Sequence, residues 1–141
     1  MSVLYAESSA VLSWLLGEPR QHEVVAELSN AATVVTSSIT AIECSRGLLR
    51  ARLDGRVSEA EEMAALRMLD EAVERWTILG VFDEVDQGTR QEFPQEPVRT
   101  LDAVHLATAL LFAGALGELR MLSFDDRVRA NARLLGMSIA L

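Results

Sequence analysis

Arg120-Met121-Leu122-Ser123-Phe124-Asp125-Asp126-Arg127-Val128-Arg129-Ala130-Asn131-Ala132-Arg133-Leu134-Leu135-Gly136-Met137-Ser138-Ile139-Ala140-Leu141 is the most legible stretch of this 141-residue chain. Arg120–Ser123 reads as a short buried strand. Asp125 or Asp126 can cap a helix running to Leu135, because a carboxylate accepts hydrogen bonds from the free N–H groups of a first turn. Gly136 suits the left-handed residue that stops a helix, and Ser138–Leu141 opens a second strand. A helix, not a hairpin turn, lies between the two strands, which predicts parallel pairing through a crossover.

The same alternation extends toward the N-terminus. Val3–Ala6, Thr33–Thr36 and Trp76–Leu79 are further short runs of strand character. Between them, Ser8–Leu16 is an apolar helical stretch, and Pro19 is placed for the first turn of a helix to about Ser29. Ser37 or Ser38 can cap a helix to about Asp54, stopped by Gly55. Ser58 and Glu61 have capping-box spacing, followed by Met63, Leu66, Leu69 and Val73 on one face. Phe82–Glu92 is a weaker helix ended before Pro94, and Thr100 can cap Leu101–Phe112. The expectation is an α/β chain, one domain over residues 1–141, with a central, mainly parallel five-stranded sheet covered by helices on both faces. Gln91–Val98, with Pro94 and Pro97, is the one proline-broken loop.

Composition prunes the functions such a fold can carry. Half of the residues are hydrophobic and 24% are charged, which excludes a disordered chain. No apolar run approaches the length of a membrane span, and the N-terminal residues lack the pattern of a signal peptide. A single cysteine, Cys44, excludes an internal disulfide framework and points to the cytoplasm. All 13 basic residues are arginine, so Walker-type phosphate loops and Schiff-base chemistry are excluded. Residues 57–97 hold 11 acids against 3 arginines, a net −8 that equals the charge of the whole chain. That segment reads as a solvated face, and the rest is near neutral, with Arg46, Arg50, Arg52 and Arg56 grouped together.

In open parallel sheets, ligands bind beyond the carboxyl ends of the strands, near the switch in strand order. Glu7 follows the first strand directly. Glu43 lies about two turns into the helix after the second. Asp102 is in the first turn of the helix before the fourth, and Asp125, beside Asp126, follows that strand. Each has an ordinary explanation: the aspartates favour helix N-termini, and Glu43 can pair with Arg46 one turn on. Glu7 is the exception, since an unpaired charge at the end of a buried strand is expensive. Carboxylates gathered in one cleft repel one another, and need protons, arginines or a cation. Oxygen ligands without histidine or cysteine suit Mg²⁺ or Mn²⁺ rather than zinc, and such ions reverse the local charge for a polyanionic substrate.

Four segments carry a resemblance to a known family. They are Arg99-Thr100-Leu101-Asp102-Ala103-Val104-His105-Leu106-Ala107-Thr108-Ala109, Leu122-Ser123-Phe124-Asp125-Asp126-Arg127, Glu43-Cys44-Ser45-Arg46 and Tyr5-Ala6-Glu7-Ser8-Ser9-Ala10. In this order they resemble the PIN-domain ribonucleases, most closely VapC-type toxins of toxin–antitoxin pairs. The resemblance implies a PIN-like three-layer sandwich and a Mg²⁺- or Mn²⁺-dependent endoribonuclease that hydrolyses RNA. It implies Glu7, Glu43, Asp102 and Asp125 as the catalytic metal site with Asp126 auxiliary, and Ser8, Ser9 or Ser123 orienting ligands or water. It further implies Arg46 and Arg50 as contacts to RNA phosphates, a homodimer and a VapB-type antitoxin.

The family's first acid is ordinarily aspartate, so Glu7 reaches further by one methylene. Two readings therefore stand: an active nuclease, and a PIN-like binding module whose site is weakened and which acts through dimer and antitoxin contacts. A phosphatase or receiver domain fits less well, since no D-x-D pair follows the first strand and a receiver needs a lysine. Among the remaining residues, Cys44 and His105 read as core packing, His22 as surface, and Trp14 and Trp76 as core or interface anchors.

Overall fold

The computed structural model describes residues 2–141. Strand β1 (Val3–Ala6) is buried throughout, and lies at the centre of a five-stranded sheet. On one side it pairs with β2 (Thr33–Ser37), with Val3 opposite Thr33, and β2 pairs with the edge strand β3 (Thr77–Leu79). On the other side it pairs with β4 (Leu119–Leu122), with Val3 opposite Leu119, and β4 pairs with β5 (Ser138–Ile139). All four pairings are parallel, which bears out the expected mainly parallel five-stranded sheet, in the order β3-β2-β1-β4-β5. The strand order reverses between β1 and β4, and the crevice is expected at their carboxyl ends.

Period-two alternation builds a three-layer sandwich. Val3, Tyr5, Val35 and Met121 face α6 (Thr100–Leu116) and α7 (Asp126–Leu134), packing on Leu106, Ala109, Phe112, Val128 and Ala132. Leu4, Ala6, Val34 and Leu122 point the other way, onto α1 (Ser8–Leu15), α2 (Gln21–Asn30), α3 (Ile39–Leu53) and α4 (Glu59–Arg75). There Val11, Val24, Leu48 and Leu69 fill the core, with Trp14 and Trp76 half-buried against it. Helix α5 (Asp83–Thr89) packs Val85 against Val104 and Ala107 of α6. Among the described residues no helix is long and apolar enough to cross a membrane.

Local signals are resolved by the structure. Ser58 and Glu61 form both hydrogen bonds of the capping box that opens α4, each of 3.0 Å. For α3 Ser38 holds the N-cap position without a side-chain bond, and Ser37 supplies one instead, its Oγ accepting from the Ile39 N–H at 3.2 Å. Pro19 lies in a turn ahead of α2 instead of in its first turn. Thr100 is the first helical residue of α6 and caps nothing; Arg99 holds the N-cap position, and the helix runs on to Leu116. Between α1 and α3, a Cβ on Gly47 would lie 2.5 Å from Leu12 Cδ2, so a larger residue there would require the Leu12 side chain to move.

Candidate functional site

At the switch point the Glu7 N–H donates to the Leu122 carbonyl at 3.0 Å, joining the ends of β1 and β4. Glu7, Glu43, Asp102 and Asp125 line one cavity of about 420 Å³ there. Arg46 and Arg50 of α3 and Ser8 and Ser9 of α1 line it too, with Leu12, Ile42 and Leu101 as an apolar rim. The four acids come from the start of α1, the middle of α3, the start of α6 and the start of α7.

Glu7 is buried, and its carboxylate is turned onto its own helix. Oε2 accepts the Ser9 N–H at 2.7 Å, and Oε1 accepts the hydroxyls of Ser9 at 2.7 Å and Ser123 at 2.5 Å. It is the N-cap of α1. Three donors satisfy the charge that the sequence left unexplained, and the Glu-Ser-Ser run was the signal for it. Ser9 Oγ also accepts the Phe124 N–H at 2.8 Å, and Ser123 Oγ the Asp125 N–H at 3.0 Å, so the serines tie the ends of both central strands together.

Glu43 is held from α1 and α6. Its Oε1 accepts the Ser8 hydroxyl at 2.5 Å and lies 2.6 Å from His105 Nε2. The His105 ring is fully buried, with Nδ1 2.8 Å from the Tyr5 hydroxyl. The tautomer with its proton on Nε2 and Nδ1 accepting from Tyr5 satisfies every member of the chain. Burial pushes the Glu43 carboxyl up, but the hydrogen bonds from His105 and Ser8 outweigh it and hold the group below the ordinary value of 4.5. Next to it Cys44 is buried, and burial followed by the charges of Glu43 and Glu7 pushes its thiol up to about 12. It is no nucleophile. Burial and the Glu7 charge likewise raise the Tyr5 phenol well above its usual range, so it stays protonated as a donor.

Asp102 and Asp125 share a different partner. Arg99 Nε donates to Asp102 Oδ2 at 3.1 Å, and Arg99 Nη2 to Asp125 Oδ2 at 3.0 Å. Asp125 also caps α7, its Oδ1 accepting from the N–H groups of Arg127 and Val128 at 2.9 and 3.0 Å. Asp126 is exposed and lines an adjoining cavity, not this one.

Sequence reading missed two residues. His105 was assigned to packing, and burial bears that out, but its hydrogen-bond partners Tyr5, Ser8 and Glu43 lie beyond any local pattern. Arg99 did leave a signal, since a cation at a helix N-terminus opposes the macrodipole and calls for an acid to hold it there.

The donor chemistry fits a hard divalent cation, with four carboxylates lining one cavity. The cation's place is not preformed: among the described residues no three acidic, histidine or cysteine groups are arranged to ligate one ion. Glu7 is committed to α1, and a guanidinium bridges Asp102 and Asp125. Glu43, Asp102 and Asp125 are the groups that would hold it.

A family model described as PIN domain matches residues 4–134. The chain belongs to the PIN-domain family. Ribonuclease VapC46 of Mycobacterium tuberculosis (strain ATCC 25618 / H37Rv) is 32% identical over 139 residues, which is 99% of this chain and 97% of that protein. Among solved structures, a toxin-antitoxin complex from Klebsiella pneumoniae superposes with a TM-score of 0.61 at 19% identity, covering 92% of this chain and 91% of that one. Mycobacterium tuberculosis VapC20, a Sarcin-Ricin loop cleaving toxin, superposes with a TM-score of 0.62 at 16% identity, covering 92% of this chain and 94% of that one. At those identities the likeness is one of fold, and the PIN fold is what this sheet order and layering amount to.

Proposed function

We propose that this PIN domain is a Mg²⁺- or Mn²⁺-dependent endoribonuclease, the toxin of a toxin–antitoxin pair. The observation that carries the reading is the convergence of Glu7, Glu43, Asp102 and Asp125 on one cavity at the switch point. Its relative VapC46 is named a ribonuclease, and the similar Klebsiella fold was solved in a toxin-antitoxin complex.

When bound, the divalent ion supplies Lewis-acid neutralisation of charge building on phosphate oxygens and activation of the attacking water. The chain's residues do the rest. Tyr5 and His105 fix the orientation of Glu43 and keep it ionised at neutral pH. Ser9 and Ser123 hold Glu7 and so fix the distance between the ends of β1 and β4, from which Asp125 departs. Arg46 and Arg50, one turn apart on α3 at the cavity wall, position RNA phosphates without reading bases. A VapB-type antitoxin would cover this cavity, and the toxin would work in the cytoplasm as a homodimer.

Purified protein free of antitoxin is expected to cleave a structured RNA with Mn²⁺ or Mg²⁺, to stop with chelator, and to lose the activity in Asp102→Asn. Undiminished cleavage by that variant would overturn the assignment. A second reading, a PIN-like binding module with a weakened site, draws support from Glu7, whose carboxylate is spent on capping α1. An inactive wild type made active by Glu7→Asp would favour it.

A further inference from the structure

We propose that Arg99 is a built-in competitor of the divalent cation, a latch that neutralises Asp102 and Asp125 until the ion displaces it. The proposal rests on the metal-site reading above and adds a residue that sets how readily the site fills. Three observations carry it.

First, the acids differ in who neutralises them. Glu7 and Glu43 are held by serine hydroxyls and a buried imidazole, whereas the cleft-facing Oδ2 oxygens of Asp102 and Asp125 share one guanidinium. Second, that guanidinium is free to leave. The Arg99 side chain is 77% exposed, while those of Asp102 and Asp125 are 12% and 23% exposed. Exposed ion pairs are weak and exchangeable. The Arg99 main chain, by contrast, is fixed: its carbonyl accepts the Ala103 N–H at 2.9 Å to start α6. The loop before it is clamped by Glu96, which accepts the N–H groups of Phe93 at 2.9 Å and Val98 at 2.6 Å. The side chain swings from an anchored base. Third, it has somewhere to go. Arg99 and Asp125 line both the acidic cavity and a second one of about 590 Å³, walled by Pro97, Phe124 and Arg127.

The physics is a competition for the same oxygens. Without a cation, Asp102 and Asp125 repel each other across the cleft, and Arg99 relieves this by taking one Oδ2 from each. A divalent ion brings twice the charge to those oxygens, and the arginine has to yield them. Removing the guanidinium therefore makes the cation-free protein less stable and its affinity for the ion higher.

Titration calorimetry of the full chain with MnCl₂, on wild type, Arg99→Gln and Arg99→Lys, tests this alongside thermal unfolding in chelator and in saturating Mn²⁺. Arg99→Gln is expected to bind Mn²⁺ on the order of tenfold more tightly. It should melt below wild type in chelator and lose that deficit in saturating Mn²⁺. Arg99→Lys keeps the charge but puts one ammonium in place of the two nitrogens that reach the two carboxylates separately, so it should fall between. Equal or weaker Mn²⁺ binding by Arg99→Gln, with wild-type binding that Asp102→Asn abolishes, would overturn the latch and leave the metal site standing. Absence of Mn²⁺ binding in every variant would overturn both.

Discussion

Glu7 and Glu43, on the α1–α3 side of the cleft, are held by groups built into the fold; the Oδ2 oxygens of Asp102 and Asp125, on the α6–α7 side, are held by an exposed one that can leave. Ser9, Ser123, Ser8 and His105 all lie within the fold and bond to one another as well as to the acids. Arg99 reaches in from solvent. The contrast shows how burial divides labour among chemically similar groups. A carboxylate at the end of a buried strand needs permanent donors and becomes part of the architecture. One at the mouth keeps its charge exchangeable, which a site that receives ions and phosphates needs. His105 joins the halves, rooted in α6 beside Asp102 yet bonded to Glu43.

If the buried half is architectural, the largest stability effect belongs to His105→Ala. It opens a cavity and strips partners from the Tyr5 hydroxyl and Glu43 together, a loss of about 3 kcal/mol in urea unfolding. A loss below about 1 kcal/mol would break the contrast between the halves. Glu7→Gln comes next, at about 2 kcal/mol, because an amide places a donor where three donors already converge. Glu43 sharpens the contrast through pH. Its folded pKa lies below 4.5, so its stabilising contribution is complete above that value and fades as the pH falls through the folded pKa. The stability difference between wild type and Glu43→Gln should accordingly be constant near neutrality and shrink in acid. A difference that grows on acidification would reverse the sign and exclude the His105 and Ser8 bonds as its origin.

The fold was legible because its signals are local. Val3–Ala6 is buried on both faces and reads as an unbroken apolar run, and Ser58 with Glu61 announces α4. Glu7 and Asp125 were legible because each closely follows a strand, and Glu43 and Asp102 because each lies in the first half of a helix that starts at the same end of the sheet. Their long-range partners were not, since Ser123 meets Glu7 across 116 residues and His105 meets Glu43 across 62. Helix starts misled where a polar residue had a competitor. Thr100 lost the cap of α6 to the residue before it, because Arg99 is held in an extended conformation at φ −70°, ψ 155° and supplies the carbonyl that begins the helix.

Asp125 takes part in both kinds of work, and its substitution separates them within one side chain. Oδ1 serves α7, accepting from Arg127 and Val128, while Oδ2 faces the cleft and Arg99. Asparagine caps helices about as well as aspartate, so Asp125→Asn keeps the Oδ1 bonds and lowers stability by less than about 0.5 kcal/mol. At Oδ2 the amide nitrogen is no ligand for a hard cation, and Mn²⁺ binding and RNA cleavage should both fall sharply. Near-native melting with a lost ion would place Asp125 on the exchangeable side of the cleft. A large drop in melting temperature would instead mean that its negative charge at the start of α7 is structural, as it is for Glu7 at the start of α1.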